Sequence, residues 1–272
     1  MFNYFSDIME INNWKTYYNK IMNDFKFNKE DDLKSAYILK DIINKEQNNI
    51  STDILKKIIE NKEIYIFGAG PSLKKHINQY LKEINSKNKQ NDKITVVIAA
   101  DGATKALLEK NIIPDIIVSD LDGDLNSIYY CNNKGSIIVI HAHGDNINLI
   151  KEHTPKLKNI MGSYQYPIEI ENLINYGGFT DGDRCCFLAE KFNGKKLILG
   201  GMDFGEYITK YSRPNIKNEV EKGDEIKIKK LKYGEELVKW LKENGNCKIE
   251  FMKWYNHDND NNNDNNNDNN NV

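Results

Sequence analysis

Arginine is nearly missing from this chain of 272 residues: Arg184 and Arg213 are the whole supply, set against many lysines. The planar fork that grips a phosphate by two parallel hydrogen bonds is therefore available at two positions only. Cysteine is scarce too. Cys131, Cys185, Cys186 and Cys247 show no CxxC spacing, and the adjacent Cys185–Cys186 suits neither a disulfide framework nor a zinc knuckle, which leaves four reduced thiols. No apolar run reaches the ~18 residues a membrane span needs. Met1 to Asp7 is not basic and no apolar core follows it, so neither a secretory leader nor a membrane partner is expected, and the reading is a soluble cytoplasmic protein. A surplus of charge is also lacking: Lys+Arg 38 against Asp+Glu 40 gives a net charge of −2. That is no basic footprint, so no nucleic-acid partner is expected. Any polyanionic ligand has to be met by local cations, backbone amides or metal ions.

What is present divides the chain in three. Residues 1–60 carry apolar side chains near helical spacing: Ile8, Met9, Ile11, Trp14, Tyr17, Tyr18, Ile21 and Met22, then Leu33 to Ile43, then Ile54 to Ile59 behind Ser51 or Thr52 as a cap. This helical N-terminal region either packs on the rest or carries a homo-oligomer contact. Residues 61–256 alternate short β-branched runs with helical segments. The runs are Ile64–Phe67, Thr95–Ala99, Ile116–Val118, Ile137–Ile140, Asn159–Met161, Lys196–Leu199 and Cys247–Met252. Helices are expected at Ser72–Ile84, Ala103–Lys110, about Asn146–Glu152, Arg184–Phe192 and Leu231–Asn244. The fold class is α/β, a mostly parallel sheet with helices on both faces. Residues 257–272 are almost wholly Asn and Asp, which cannot offset ordering entropy, and read as a disordered tail.

Nearly every strand runs into an acid, a glycine or both. Phe67 leads into Gly68-Ala-Gly70-Pro-Ser72, and Ala100 into Asp101-Gly. Val118 leads into Ser119-Asp120-Leu-Asp122-Gly, and Ile140 into His141-Ala-His143-Gly-Asp145. Leu199 leads into Gly200-Gly-Met-Asp203. In a parallel sheet these loops share one rim, where ligands bind. Asp101, Asp120, Asp122, Asp145, Asp181 and Asp183 would repel one another there without counter-charge. Oxygen-only ligands with acids two apart suit Mg²⁺, so Asp120, Asp122 and Asp145 are the candidate metal ligands. The Gly68–Ser72 turn can present amides to a phosphate at a helix start, and Ser72 as a plain cap is the alternative. Arg184 is either a phosphate partner or a structural ion pair. Lys227, Lys229, Lys230 and Lys232 form a basic run before the last helix, either a solvated face or a phosphate contact. His141-x-His143-x-Asp145 also resembles the start of a binuclear zinc hydrolase site, but Asn146 stands where a further histidine belongs, and hydrogen bonding by neutral imidazoles is the better reading.

Taken together these loops resemble one family. Gly68-Ala-Gly-Pro-Ser-Leu73, Asp101-Gly-Ala, Pro114-Asp through Asp120-Leu-Asp-Gly123, His141-Ala-His-Gly-Asp-Asn146, Gly177-Gly-Phe-Thr-Asp-Gly-Asp-Arg184 and Gly201-Met-Asp-Phe-Gly205 resemble the archaeal 6-hydroxymethyl-7,8-dihydropterin pyrophosphokinases of the MptE type. Their catalytic core is similar to that of thiamine pyrophosphokinase. The resemblance implies diphosphate transfer from ATP to a dihydropterin alcohol with release of AMP, Mg²⁺, and a place in methanopterin- or folate-type cofactor synthesis. For that reaction the expected nucleotide contacts are Gly68, Gly70, Ser72, Asp101, His141, His143 and Arg184, with Asp101 also a candidate partner of the metal site, Asp183 or Asp181 handling the hydroxyl proton and Arg184 the transferring phosphates. Phe179, Tyr164, Tyr166 and Gln165 are nearby candidates for the pterin. Thiamine pyrophosphokinase, a zinc hydrolase and a non-catalytic nucleotide-binding module remain the competing readings.

Overall fold

The β-branched runs become strands buried on both faces, and their register fixes what reaches the rim. The computed structural model describes residues 11–87 and 95–253. Its strands are β1 (Glu63–Phe67), β2 (Thr95–Ala100), β3 (Ile116–Ser119), β4 (Ile137–Ala142), β5 (Ile160–Tyr164), β6 (Leu173–Ile174), β7 (Lys196–Gly200), β8 (Tyr207–Thr209), β9 (Val220–Lys222) and β10 (Lys248–Phe251). The helices are α1 (Ile11–Phe25), α2 (Lys29–Glu46), α3 (Thr52–Ile59), α4 (Leu73–Lys87), α5 (Ala103–Leu108), α6 (Leu125–Asn133), α7 (Ile147–His153), α8 (Asp181–Lys191) and α9 (Glu225–Asn244). The main sheet has the order β10-β7-β1-β2-β3-β4-β5-β6, and every pairing in it is parallel. The chain walks from β1 to β6 in one direction, then β7 lands on the far side of β1. That reversal opens a crevice beyond the strand ends, the usual place for a ligand in such sheets.

Side chains alternate across the sheet with period two, which builds two cores. Ile64, Ile66, Val96 and Ile98 pack under α1, α3, α8 and α9. Tyr65, Phe67, Val97 and Ala99 pack under α2, α4, α5, α6 and α7. The N-terminal helices contribute to both. Trp14 and Tyr18 of α1 enter one core, Leu39 and Ile43 of α2 the other. The buried Trp14 indole satisfies its N–H on the Gln165 carbonyl at 2.6 Å. Asn28 caps α2 by accepting from the Glu30 amide at 3.0 Å, which sets that helix's first turn at the rim.

Two helix starts fall earlier than the sequence reading put them. Helix α8 begins at Asp181. Helix α9 begins at Glu225, because Asp224 caps it by accepting from the Lys227 amide at 2.7 Å. The basic run Lys227–Lys232 is therefore the first turns of a helix and not a loop before it. Helix α6, the two-residue β6 and the β8–β9 hairpin were not anticipated. Each is short, and strands of two or three residues with polar members carry no readable period. All four cysteines are free and buried. Among the described residues no helix is long and apolar enough to cross a membrane. The Asn/Asp tail 257–272, with Ile8 and Met9, lies outside the described residues.

Candidate active site

The turn after β3 is built to hold acids that point at one another. Ser119 closes the strand, donating its hydroxyl to Asp101 Oδ1 at 2.6 Å and accepting the Leu121 amide at 2.8 Å. Leu121 sits in the left-handed region at φ +68, unusual for a residue with a branched side chain. Its fully buried side chain anchors that conformation, and the flanking Asp120 and Asp122 line the rim cleft. Gly123 leaves room for Asp101: a Cβ there would stand 2.0 Å from Asp101 Oδ2. Asp181 arrives from the start of α8. Asp101, Asp120 and Asp181 each offer a carboxylate oxygen, and the three lie within 4.8 Å of one another.

Crowding shows in the protonation of these groups. Burial, then the Asp120 charge, raises Asp101 well above the usual carboxylate range. Asp181 is raised in the same direction by burial and by Asp120, Asp101 and Asp122. Asp122, though open to the cleft, is pushed to about 6 by desolvation and the neighbouring Asp120. Asp120 goes the other way. Desolvation works to raise it, but hydrogen bonds from His143 and Asp122 outweigh that and hold it at about 2. His143 makes that contact with Nε2, 3.1 Å from Asp120 Oδ2, while its Nδ1 accepts the Asp145 amide at 3.3 Å. An imidazole that accepts at Nδ1 carries its proton on Nε2 and so donates to Asp120. His143 orients a carboxylate here.

The acids floor a cleft of about 240 Å³. Eight aspartates line it (Asp31, Asp32, Asp101, Asp120, Asp122, Asp145, Asp181 and Asp203) against two lysines, Lys227 and Lys230, and no arginine. Burial lowers the Lys227 pKa against the pull of Asp181 and Asp122, which face it. A polyanion enters such a cleft only with cations of its own. The three converging oxygens match the hard, oxygen-only donor set that binds Mg²⁺ with substrate phosphates. Among the described residues no imidazole or thiol joins that group, as a zinc hydrolase site would need.

Several expected site residues have other tasks. Gly68 and Gly70 line the cleft, but their amides donate to the Gly200 and Gly201 carbonyls at 2.9 and 2.8 Å. The Ser72 amide, at the α4 entrance, donates to Asp203 Oδ2 at 3.1 Å. The protein's own carboxylate thus sits where an anion was expected. A Cβ on Gly70 would meet that carboxylate at 2.1 Å, so the glycine serves loop packing. Asp183 is fully buried and accepts from the Phe179 and Thr180 amides at 2.5 and 2.8 Å and from the Thr180 hydroxyl. It caps α8 and does not line the cleft. Arg184 is 5% exposed and does not line the cleft. Burial lowers it to about 10 despite Asp183, Asp181, Asp32 and Asp120 nearby, and its Nη2 reaches Gln165 Oε1 at 3.4 Å. That contact is to a neutral amide, and the Arg184 Nε is buried with no hydrogen-bond partner among the described residues. His141 is buried beside Arg184 and held well below its usual pKa by burial and that charge, so it is neutral. Asp145 is exposed on the rim, outside the converging three. Gln165 and Phe179 line the cleft, whereas Tyr164 is buried with its hydroxyl donating to the Ile168 carbonyl at 2.6 Å.

Two contributions escaped the sequence reading. Lys227 was one of four equivalent lysines until the fold brought it, with Lys230, into the cleft beside Asp181 and Asp122. Asp31 and Asp32 come from α2, far from any rim loop in sequence, and nothing local marks them.

Comparison with known proteins converges on one activity. The family described as 6-hydroxymethylpterin diphosphokinase MptE-like matches residues 39–209. A relative from Methanocaldococcus jannaschii, named 6-hydroxymethyl-7,8-dihydropterin pyrophosphokinase, is 60% identical over 251 residues, covering 90% of this chain and 100% of its own length. Proteins of the same name from Methanothermobacter thermautotrophicus and Pyrococcus furiosus are 40% and 38% identical over 242 residues, each covering 89% of this chain and 99% and 98% of their own. Among solved structures, the Maf glycosyltransferase from Magnetospirillum magneticum AMB-1 shares 17% identity at a TM-score of 0.37 over 56% of this chain and 26% of that one, a likeness too slight to bear on fold or function.

Proposed function

The chain belongs to the MptE-like 6-hydroxymethylpterin diphosphokinase family, and from that premise we infer that it transfers a diphosphate to the hydroxymethyl oxygen of 6-hydroxymethyl-7,8-dihydropterin. The observation that carries this reading is the convergence of Asp101, Asp120 and Asp181 at the rim, facing Lys227. ATP is the donor and AMP the second product. The new bond forms between the alcohol oxygen and the β-phosphorus. The bond from that phosphorus to the bridging oxygen breaks, and its electron pair leaves on the α-phosphate.

Asp101, Asp120 and Asp181 would hold Mg²⁺, which when bound offsets charge on the transferring diphosphate. Ser119 and Gly123 keep Asp101 in place, and His143 keeps Asp120 ionised and aimed. Lys227 supplies the protein's own cation at the phosphates, the task expected of Arg184. Asp122 is open to the cleft, and desolvation with the neighbouring Asp120 charge pushes it up to about 6, which suits a group that takes the alcohol proton. The product feeds assembly of a methanopterin- or folate-type cofactor. The four free thiols fit a reducing cytoplasm.

The test is AMP formation in a mixture of enzyme, ATP, Mg²⁺ and the dihydropterin alcohol. AMP should be absent when the alcohol is left out or replaced by thiamine. No AMP from the complete mixture, or equal AMP with thiamine, overturns the reading.

A further inference from the structure

The acids share the cleft with two unlike groups of lining residues. Tyr207 and Ser212 belong to the segment that meets the β1 turn, where the Thr209 hydroxyl donates to the Ala69 carbonyl at 2.6 Å. The other group is formed by Phe27 and Asp31 from the α1–α2 corner, with Phe179. There Phe25 stacks behind Phe27 with centroids 5.2 Å apart, and lies 5.4 Å from Phe179. Lys230 Nζ rides over both cleft rings, 5.4 Å from the Phe27 centroid and 5.9 Å from that of Phe179. The result is a supported aromatic wall with a carboxylate beside it.

The two carboxylates at this corner are not equivalent. Asp32 is fully engaged: its Oδ2 accepts from Tyr18 at 3.0 Å and Gln165 at 2.7 Å, and its Oδ1 from the Gly144 amide at 2.8 Å. Asp31 Oδ2 accepts from the Asn28 side chain at 2.9 Å, and its Oδ1 takes no hydrogen bond among the described residues. The corner is also fixed relative to the acids. A Cβ on Gly144 would lie 2.9 Å from the Asp31 Cβ, so α2 presses on the loop that carries His143, and His143 holds Asp120.

We propose that the α1–α2 corner is the pteridine subsite, with the Phe27 and Phe179 rings walling the bicyclic ring and Asp31 accepting hydrogen bonds from the amino-pyrimidine edge. The assignment rests on the functional reading above. A dihydropterin is flat, uncharged and presents adjacent N–H donors along one edge, which a single carboxylate can accept together. An aromatic wall suits its faces. A triphosphate does not suit this corner, where Asp31 and Asp32 stand against one lysine already placed over the rings. The nucleotide is left the lining beside the β1 turn, and the hydroxymethyl group points to the acids. The helical N-terminal region thereby sets acceptor specificity.

The experiment titrates 6-hydroxymethylpterin, the fluorescent oxidised analogue, into the full chain without nucleotide and follows the KM for ATP separately. Asp31→Ala should raise the pterin Kd roughly 10–100-fold, as for a lost charge-assisted bidentate contact. Phe27→Ala should raise it roughly 10-fold, and Phe27→Tyr, which keeps the ring, should stay near wild type. The KM for ATP should be unchanged in all three, and the melting temperature unchanged in Asp31→Ala and Phe27→Tyr. A wild type that binds the pterin while Asp31→Ala and Phe27→Ala bind it equally well overturns this assignment alone. So does a rise in the KM for ATP with the pterin Kd unmoved, which would place the nucleotide base here. A wild type that neither binds the pterin nor forms AMP overturns the functional reading and this assignment with it.

Discussion

The loops after β1 and β3 are written in the same style, a strand running into small residues and glycine, yet they do opposite things. The Gly68–Ser72 turn closes on the protein: the Gly68, Gly70 and Ser72 amides are taken by the Gly200 and Gly201 carbonyls and by the Asp203 carboxylate. The Asp120–Gly123 turn is pinned by Ser119, Asn146 and His143 but keeps its carboxylates at the cleft. It leaves carboxylates facing one another across an open cleft, with burial and mutual repulsion raising three of the four nearby acids. A satisfied rim loop is scaffold, and an unsatisfied one is a request for a ligand. The same contrast recurs within α8, where Asp181 faces the cleft and Asp183, two residues on, caps the helix.

The largest expected effect tests that contrast directly. Asp101→Asn or Asp120→Asn should lower kcat by at least ~10²–10³-fold, the range for losing a key electrostatic contact at a reacting phosphate, with the melting temperature unchanged or higher. Asp203→Ala should instead lower the unfolding free energy, read by denaturant titration, by about 1–2 kcal/mol of lost capping and keep most of the activity. If Asp203→Ala abolished turnover in a stably folded protein, the division into scaffold and site would fail.

Within α8 the comparison is sharper. Asp183→Ala leaves the Phe179 and Thr180 donors buried and unpaired and should cost about 2–4 kcal/mol of stability by denaturant unfolding. Asp181→Asn should cost turnover and little stability. An Asp183→Ala protein of wild-type stability would remove the capping role assigned here.

His143→Gln comes next. It keeps a side-chain amide near Asp120 but loses the fixed imidazole geometry, a loss of ~1–3 kcal/mol that appears as roughly 10–100-fold in kcat. Added Zn²⁺ should not restore it. Complete loss, with one zinc per purified wild-type chain, would give the loop to metal ligation by histidine.

The smallest effect is the pH dependence of the metal-free protein. Asp122 has a folded-state pKa raised to about 6, above the ~4 of an unfolded chain. A raised carboxylate favours the fold while protonated, so its contribution is full below about pH 4 and is lost as the pH rises through about 6. In chelator, wild type should therefore lose melting temperature relative to Asp122→Asn across that window. Because Asp122 is exposed, solvent screening keeps the difference to a few degrees at most. The stabilisation by Mg²⁺ should grow over the same window. A Mg²⁺ effect that is flat with pH would show that the raised acids do not meet the cation.

Local periodicity made the sheet legible. Runs such as Ile64–Phe67 and Ile137–Ile140 are apolar on both faces, so they could only be interior parallel strands, and the acids after them had to share a rim. Asp120 and Asp122 were legible for that reason, and the family resemblance was carried by the same loops. The start of α9 was not, because Asp224 as a cap reads like any other surface acid. Nor was the pairing of Asp31 with the rim, since α2 is remote in sequence and its acids sit in an ordinary helix first turn.

By itself the sequence determined the α/β architecture, the rim that carries the acids and the class of chemistry, since strand period and loop composition depend on residues a few positions apart. Only the tertiary structure decided which of those groups remain free to act. Asp183 and Asp203 are occupied by amide donors, Arg184 is buried behind the cleft and Gly68 and Gly70 serve a neighbouring loop. By contrast Asp101, Asp120, Asp181 and Lys227 are left facing one another. The physical reason is that a polar group's availability is set by the donors and acceptors that surround it, and around this rim those come from strands and helices that the sequence separates by tens of residues.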